Sequence, residues 1–148
     1  MTKLNSNIDV HSEEFLANVA SMKTHIQGFR DIEQKVHDKE NEAKEKFIKR
    51  GKLLPRERIN RLLDAGAPFL EICSLAGFKM HDDKDGSMAG GGIIAGIGYV
   101  SGIRCIVLAS NSAIKGGTIS PAGLDKTLRL QAIAKENKLP VVTLAESG

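Results

Sequence analysis

Gly92-Ile93-Ile94-Ala95-Gly96-Ile97-Gly98-Tyr99-Val100 and Ile103-Arg104-Cys105-Ile106-Val107-Leu108-Ala109 are two apolar runs parted only by Ser101-Gly102. β-Branched residues at this density favour strands, and a two-residue Ser-Gly break between such runs signals a hairpin. Ile106-Val107-Leu108 is continuous rather than alternating, as expected of a strand covered on both faces. Downstream, Ser120-Pro121 offers an N-cap followed by proline at the first helical position, which opens a helix to about Lys138. Its apolar residues Leu124, Leu128, Leu130, Ala132, Ile133 and Ala134 spread round more than one face, so cover on both sides is predicted. Pro140 follows, and Val141 to Ala145 is a further short strand. The order strand, strand, helix, strand gives an α/β fold.

Upstream, Phe69 to Leu75 reads as a short strand and His81 to Gly92 as a polar, glycine-rich loop. Pro55 opens a short helix with Ile59, Leu62 and Leu63 on one face. Ser12 is an N-cap, with Glu13 and Glu14 in the first turn, where the helix dipole favours them. Phe15, Val19, Met22, Ile26 and Phe29 then recur as one helical stripe. Gly28 interrupts its propensity, and Gly51 ends the helix. Residues 1–60 hold 22 charged but only 20 apolar residues, whereas residues 61–148 hold 13 of the 15 glycines. Residues 1–66 are therefore expected to form a helical arm and residues 67–148 a core.

Length allows about one domain. Net charge is +3 and the aromatics are five Phe and one Tyr, which argues against nucleic-acid binding and base stacking. Two cysteines exclude a disulfide-dense scaffold and a four-cysteine zinc site. No apolar run approaches the ~18 residues of a membrane span. No secretory h-region is readable, so the cytoplasm is expected.

Gly96-Ile97-Gly98 leads into a hairpin rather than a helix, so it is not a dinucleotide fingerprint. Its glycines are expected to let strands approach closely. Lys115-Gly116-Gly117-Thr118, after a buried strand and before a helix, can form a tight turn or present N–H groups to an anion. Ser147-Gly148 lies at a strand's carboxyl end, where α/β folds gather ligands. Cys105 is expected to be a buried thiol. His11, His25, His37 and His81 lack spaced partners, and Asp82, Asp83 and Asp85 lack calcium-loop spacing, so no metal site is expected.

Several segments together resemble the carboxyltransferase (β) subunit of biotin-dependent acyl-CoA carboxylases. They are Arg50-Gly51-Lys52-Leu53-Leu54, Arg56-Glu57-Arg58-Ile59, Leu62-Leu63-Asp64 and Pro68-Phe69-Leu70-Glu71. Gly91 to Gly98, Lys115-Gly116-Gly117-Thr118, Ala134 to Pro140 and Glu146-Ser147-Gly148 continue the series in the family's order over about residues 45–148. The Lys115–Thr118 element points to the 3-methylcrotonyl-CoA and geranyl-CoA branch. The absence of a paired tyrosine before Pro121 is closer to the geranyl-CoA type. The resemblance implies a partial crotonase-like fold of strand-strand-helix units preceded by a long helical arm. It implies that Lys115, Gly116, Gly117 and Thr118 run beside the acyl-CoA, and that Ser147 and Gly148 begin an oxyanion loop. It also implies a biotin-carrying α subunit, carboxybiotin delivered from that partner rather than bound here, and a homo-oligomer of β subunits. The family's subunit is several times longer, so these residues are expected to be an N-terminal piece without carboxylase activity of its own. The competing readings are a stand-alone CoA- or anion-binding module and another crotonase-fold enzyme, such as a hydratase or thioesterase.

Overall fold

The computed structural model describes residues 6–146, in two compact units that divide between Ile32 and Glu33. Helix α1 (Glu13–Asn41) runs through the division. Its start is built as the sequence requires: Ser12 Oγ accepts from the Phe15 N–H at 3.2 Å, satisfying one of the orphan donors of the first turn. Gly28 does not break it. The helix stops at Asn41 and resumes as α2 (Lys44–Lys49), so the single helix expected up to Gly51 is two. Gly51, at φ +64°, then turns the chain in the left-handed region that only glycine adopts freely.

The second unit is a four-stranded sheet between helices. Helix α3 (Pro55–Leu62) precedes β1 (Leu70–Glu71), β2 (Ile93–Val100) and β3 (Ile103–Ser110). Then come the one-turn α4 (Ser112–Lys115), α5 (Pro121–Asn137) and β4 (Val141–Leu144). Spatial order follows chain order, β1 to β4. The first three strands are antiparallel and β4 lies parallel to β3, with α5 as the crossover. The hairpin turns at Ser101 (φ +52°) and Gly102 (φ +75°). The Asp64 carboxylate accepts both of their N–H groups at 2.7 Å, tying the turn to the end of α3.

Period-two alternation divides the sheet into two faces. Ile93, Ala95, Ile106 and Leu108 pack under α5 against Leu130 and Ala134. Ile94, Cys105, Val107 and Ala109 face Ile59 of α3. Both faces of β3 are thus covered, which accounts for its unbroken apolar run. Each fully buried Ile contributes roughly 2 kcal/mol through lost water contact.

Three further expectations need correction. The strand expected over Phe69–Leu75 is only Leu70–Glu71, because Cys73 adopts φ +53° and turns the chain away after Ile72 has donated to the Ala95 carbonyl. Ser110 to Ile119, whose polar sequence reads as a loop throughout, contains a helical turn, α4. Helix α5 is covered on one side only: Leu124 and Leu128 are exposed, because the inward face is built from Gly123, Lys126, Leu130 and Ala134.

Candidate functional site

The parallel pairing of β3 and β4 brings two strand carboxyl ends to one edge of the sheet, where ligand crevices of α/β folds form. Glu146, just beyond β4, is the centre of the charge cluster there. Its carboxylate accepts from Lys52 Nζ at 2.9 Å, Arg58 Nη1 at 3.3 Å and Ser112 Oγ at 2.8 Å. The hydrogen bond from Lys52 is the largest of the effects that hold its carboxyl below the ordinary range, against a smaller opposing cost of burial. Lys52, Leu53, Arg58, Ala145 and Glu146 line an open cleft of about 300 Å³. A smaller recess of about 100 Å³ adjoins it, with Lys46, Arg50 and Gly116 in its wall. Four cations against one carboxylate make this edge a place for an anionic ligand.

The sequence-derived loop forms one rim. Lys115 ends α4, and Gly116 (φ +61°) and Gly117 (φ +89°) turn the chain left-handed. The Gly116 N–H is already used by the Ser112 carbonyl. Thr118 is exposed, and its carbonyl lies so close to Gly92 that a Cβ there would meet it at 2.6 Å. Ser147 and Gly148 lie outside the described residues.

The glycine run braces this loop from behind. Ser120 Oγ, which caps α5 by accepting from the Gly123 N–H at 3.2 Å, donates to the Gly91 carbonyl at 3.1 Å. A Cβ on Gly91 would meet the backbone of Gly123 at 2.6 Å. Gly96 and Gly98 similarly accommodate Phe69 and Leu63, so these glycines serve close approach. Beneath them lies Lys126, whose Nζ donates to the Ile93 carbonyl at 2.7 Å and, more weakly, to that of Gly90 at 3.4 Å. Burial, opposed by the negative charge of Glu71, pushes its pKa down to about 8.

A second, partly buried chain of polar groups links α1, α3 and β1 to Asn111, just past β3. Asn111 Nδ2 donates to Glu40 at 2.8 Å, and Arg56 bridges Glu40 (2.6 Å) to Glu71 (2.6 and 3.2 Å). Burial alone would lower the Arg56 pKa, but the bond to Glu71 and the charge of Glu40 outweigh it and hold it raised.

Sequence reading missed Lys52, Arg58 and Glu146 as a cluster because 88 or more residues separate the acid from its cations. Lys126 carried a usable signal, since it shares the helical face of Gly123, Leu130 and Ala134. The acids of the loop are turn builders: buried Asp83 accepts from the N–H groups of Lys79 and Met88, and Asp85 from Ser87. Cys105 is buried, and burial pushes its thiol up. Among the described residues no three His, Cys, Asp or Glu side chains group as a metal site.

The carboxyl transferase domain matches residues 46–148, the stretch that carries the cation-lined edge. The chain belongs to this family. Within it, the chain is 42% identical over 98% of its length to the mitochondrial methylcrotonoyl-CoA carboxylase β chain of Dictyostelium discoideum, of which it covers 24%. It is 48% identical over 72% of its length to the biotin-dependent 3-methylcrotonyl-coenzyme A carboxylase β1 subunit of Mycobacterium tuberculosis, covering 20% of that protein. The crystal structure of the geranyl-CoA carboxylase β subunit of P. aeruginosa superposes over 98% of the chain with a TM-score of 0.88 and 65% identity, and 27% of that subunit is covered. The chain thus spans about a quarter of the length of these carboxyl transferase relatives. Its fold is crotonase-like, as a TM-score of 0.70 to transcarboxylase 12S at 22% identity also shows. The family inferred from the segments between residues 45 and 148 is the family found. No helix among the described residues is long and apolar enough to cross a membrane.

Proposed function

We propose that this sequence forms the acyl-CoA side of a carboxyltransferase component of a biotin-dependent acyl-CoA carboxylase. Geranyl-CoA is the first substrate proposed and 3-methylcrotonyl-CoA the second. The observation that carries the reading is the cation-lined edge around Glu146, in a chain 65% identical to a geranyl-CoA carboxylase β subunit.

Lys46, Arg50 and Lys52 would attract the phosphates of CoA, while the Lys115–Thr118 loop lies along the thioester end. The acyl-CoA would lose a proton to the ureido nitrogen that biotin frees on giving up its carboxyl group, leaving the thioester as an enolate. Backbone N–H groups at the start of the oxyanion loop, Ser147 and Gly148, would stabilise its oxygen, an effect worth roughly 3 kcal/mol per donor. For an α,β-unsaturated substrate the charge spreads to the γ-carbon, which takes the carboxyl group. Biotin, when bound to its own subunit, supplies that group as carboxybiotin. The described edge offers cations, which suit a polyanion and not a neutral ureido ring, so no residue here is assigned to biotin. A biotin-carrying α subunit, a homo-oligomer of β subunits and a cytoplasmic setting complete the proposal.

Calorimetric titration of the 148-residue chain with CoA tests the assignment of the edge. Heat that disappears when Lys46 and Arg50 are both changed to Glu supports it. No heat at millimolar CoA contradicts it. The same chain, given carboxybiotin and geranyl-CoA, is expected to show no turnover.

A further inference from the structure

The amino-terminal half of α1 has a pattern that the carboxyltransferase reading leaves unused. Phe15, Val19, Met22, Ile26 and Phe29 follow at steps of four, three, four and three residues. Their mean spacing is that of a coiled-coil seam, about 3.5 residues, which keeps a narrow stripe facing one neighbouring helix. Met22 is 59% exposed, Ile26 43% and Phe29 48%, so most of this seam meets water in the chain. The next seam position is Glu33, whose carboxylate accepts from Ser74 Oγ at 2.7 Å, so the apolar seam ends there.

The charges beside the seam indicate its occupant. With Phe15, Met22 and Phe29 at d and Val19 and Ile26 at a, Lys23 and Arg30 fall at e and His25 at g. Glu13, Glu14 and Asp31 fall at b, c and f, away from the contact. In a parallel pair of copies, His25 of one would meet Arg30 of the other, and in an antiparallel pair the Lys23 and Arg30 flanks would face each other. Neither arrangement supplies an opposite charge. Three acids against two strong bases between Glu13 and Ile32 give no attraction to an anionic lipid surface. We infer that residues 15–29 of α1 are a docking seam for an amphipathic helix of another protein, apolar at its own a and d positions and flanked by Glu or Asp.

The test uses the full chain and two fluorescein-labelled synthetic helices in fluorescence anisotropy. Both carry Leu at a and d; one has Glu and the other Lys at e and g. The Glu-flanked helix is expected to bind at least tenfold more tightly, and more weakly as salt rises from about 0.05 to about 0.5 M. Ile26→Asp should abolish binding. The double variant Lys23→Glu/Arg30→Glu should reverse the preference to the Lys-flanked helix, a result that a misfolded chain cannot give. Failure of both helices to bind, or equal binding of the two, would overturn the inference. Self-association removed by Ile26→Asp, or binding to phosphatidylserine-containing vesicles in place of the helices, would overturn it equally.

Discussion

Lys126 donates from Nζ to the carbonyl oxygen of Ile93 at 2.7 Å, an ammonium held by neutral carbonyls beneath α5. Burial lowers its pKa from 10.5 to about 8, with Glu71 and Cys73 opposing the shift and Arg56 adding to it. Below pH 8 the lysine is charged whether the chain is folded or not, so the cost of burying the charge is present in full. Between 8 and 10.5 the folded chain has released the proton and the unfolded chain still holds it. Stability contributed by this group therefore rises through that window, by about 3 kcal/mol in total. Urea denaturation of wild type and Lys126→Met from pH 7 to 10 should show a rise in the first that is missing from the second. Parallel pH dependences would contradict the assignment.

Glu146→Gln removes the counter-charge of Lys52 and Arg58 while keeping the side chain's shape. In the wild type the carboxylate's contribution to stability is present above its unfolded pKa and is lost as pH falls through the lowered folded value. The variant should lack that acid limb, and its stability at pH 7 should fall by about 1 kcal/mol. Freed cations should also bind CoA more tightly, by roughly fivefold. Calorimetry and acid denaturation on the same preparation measure both. Weaker CoA binding in a folded variant would show that the edge does not receive the phosphates.

Gly91→Ala places a methyl group against the backbone of Gly123 at a residue with φ +70°. Backbone cannot move aside as a side chain can, so a loss above about 2 kcal/mol is expected. Gly51→Ala, at φ +64° with open space around it, isolates the conformational part and should cost about 1 kcal/mol. Similar urea midpoints for the two variants would show that contact between the glycine run and α5 is unimportant.

Local patterns made much of this fold legible. The Ser12 and Ser120 caps rest on chemistry within a few residues, and the Ser-Gly break at Ser101-Gly102 and the strand, helix, strand order from Ile103 to Ala145 show in local composition even though Asp64 and the parallel pairing complete them from afar. The errors arose where distant contacts override such patterns. Cys73 turns left-handed inside an apolar run, and Leu124 and Leu128 stand exposed because Gly123 and Lys126 occupy the inward face of α5. The loop rim was visible as Lys115-Gly116-Gly117-Thr118. The charged wall was not, because Glu146 meets Lys52 and Arg58 only through the folded chain. Ser147 and Gly148 lie outside the described residues, so their place at the oxyanion loop stands on the family resemblance.

The most direct measurement is fixation of labelled bicarbonate by the β polypeptide that carries this sequence, assembled with a biotinylated α subunit and supplied with ATP. Geranyl-CoA should be carboxylated faster than 3-methylcrotonyl-CoA. The double variant Lys46→Glu/Arg50→Glu should raise KM for the acyl-CoA at least tenfold while leaving kcat within about twofold, as expected for groups that bind substrate and transition state alike. Label entering neither acyl-CoA, or a variant that loses kcat with KM unchanged, would contradict the account.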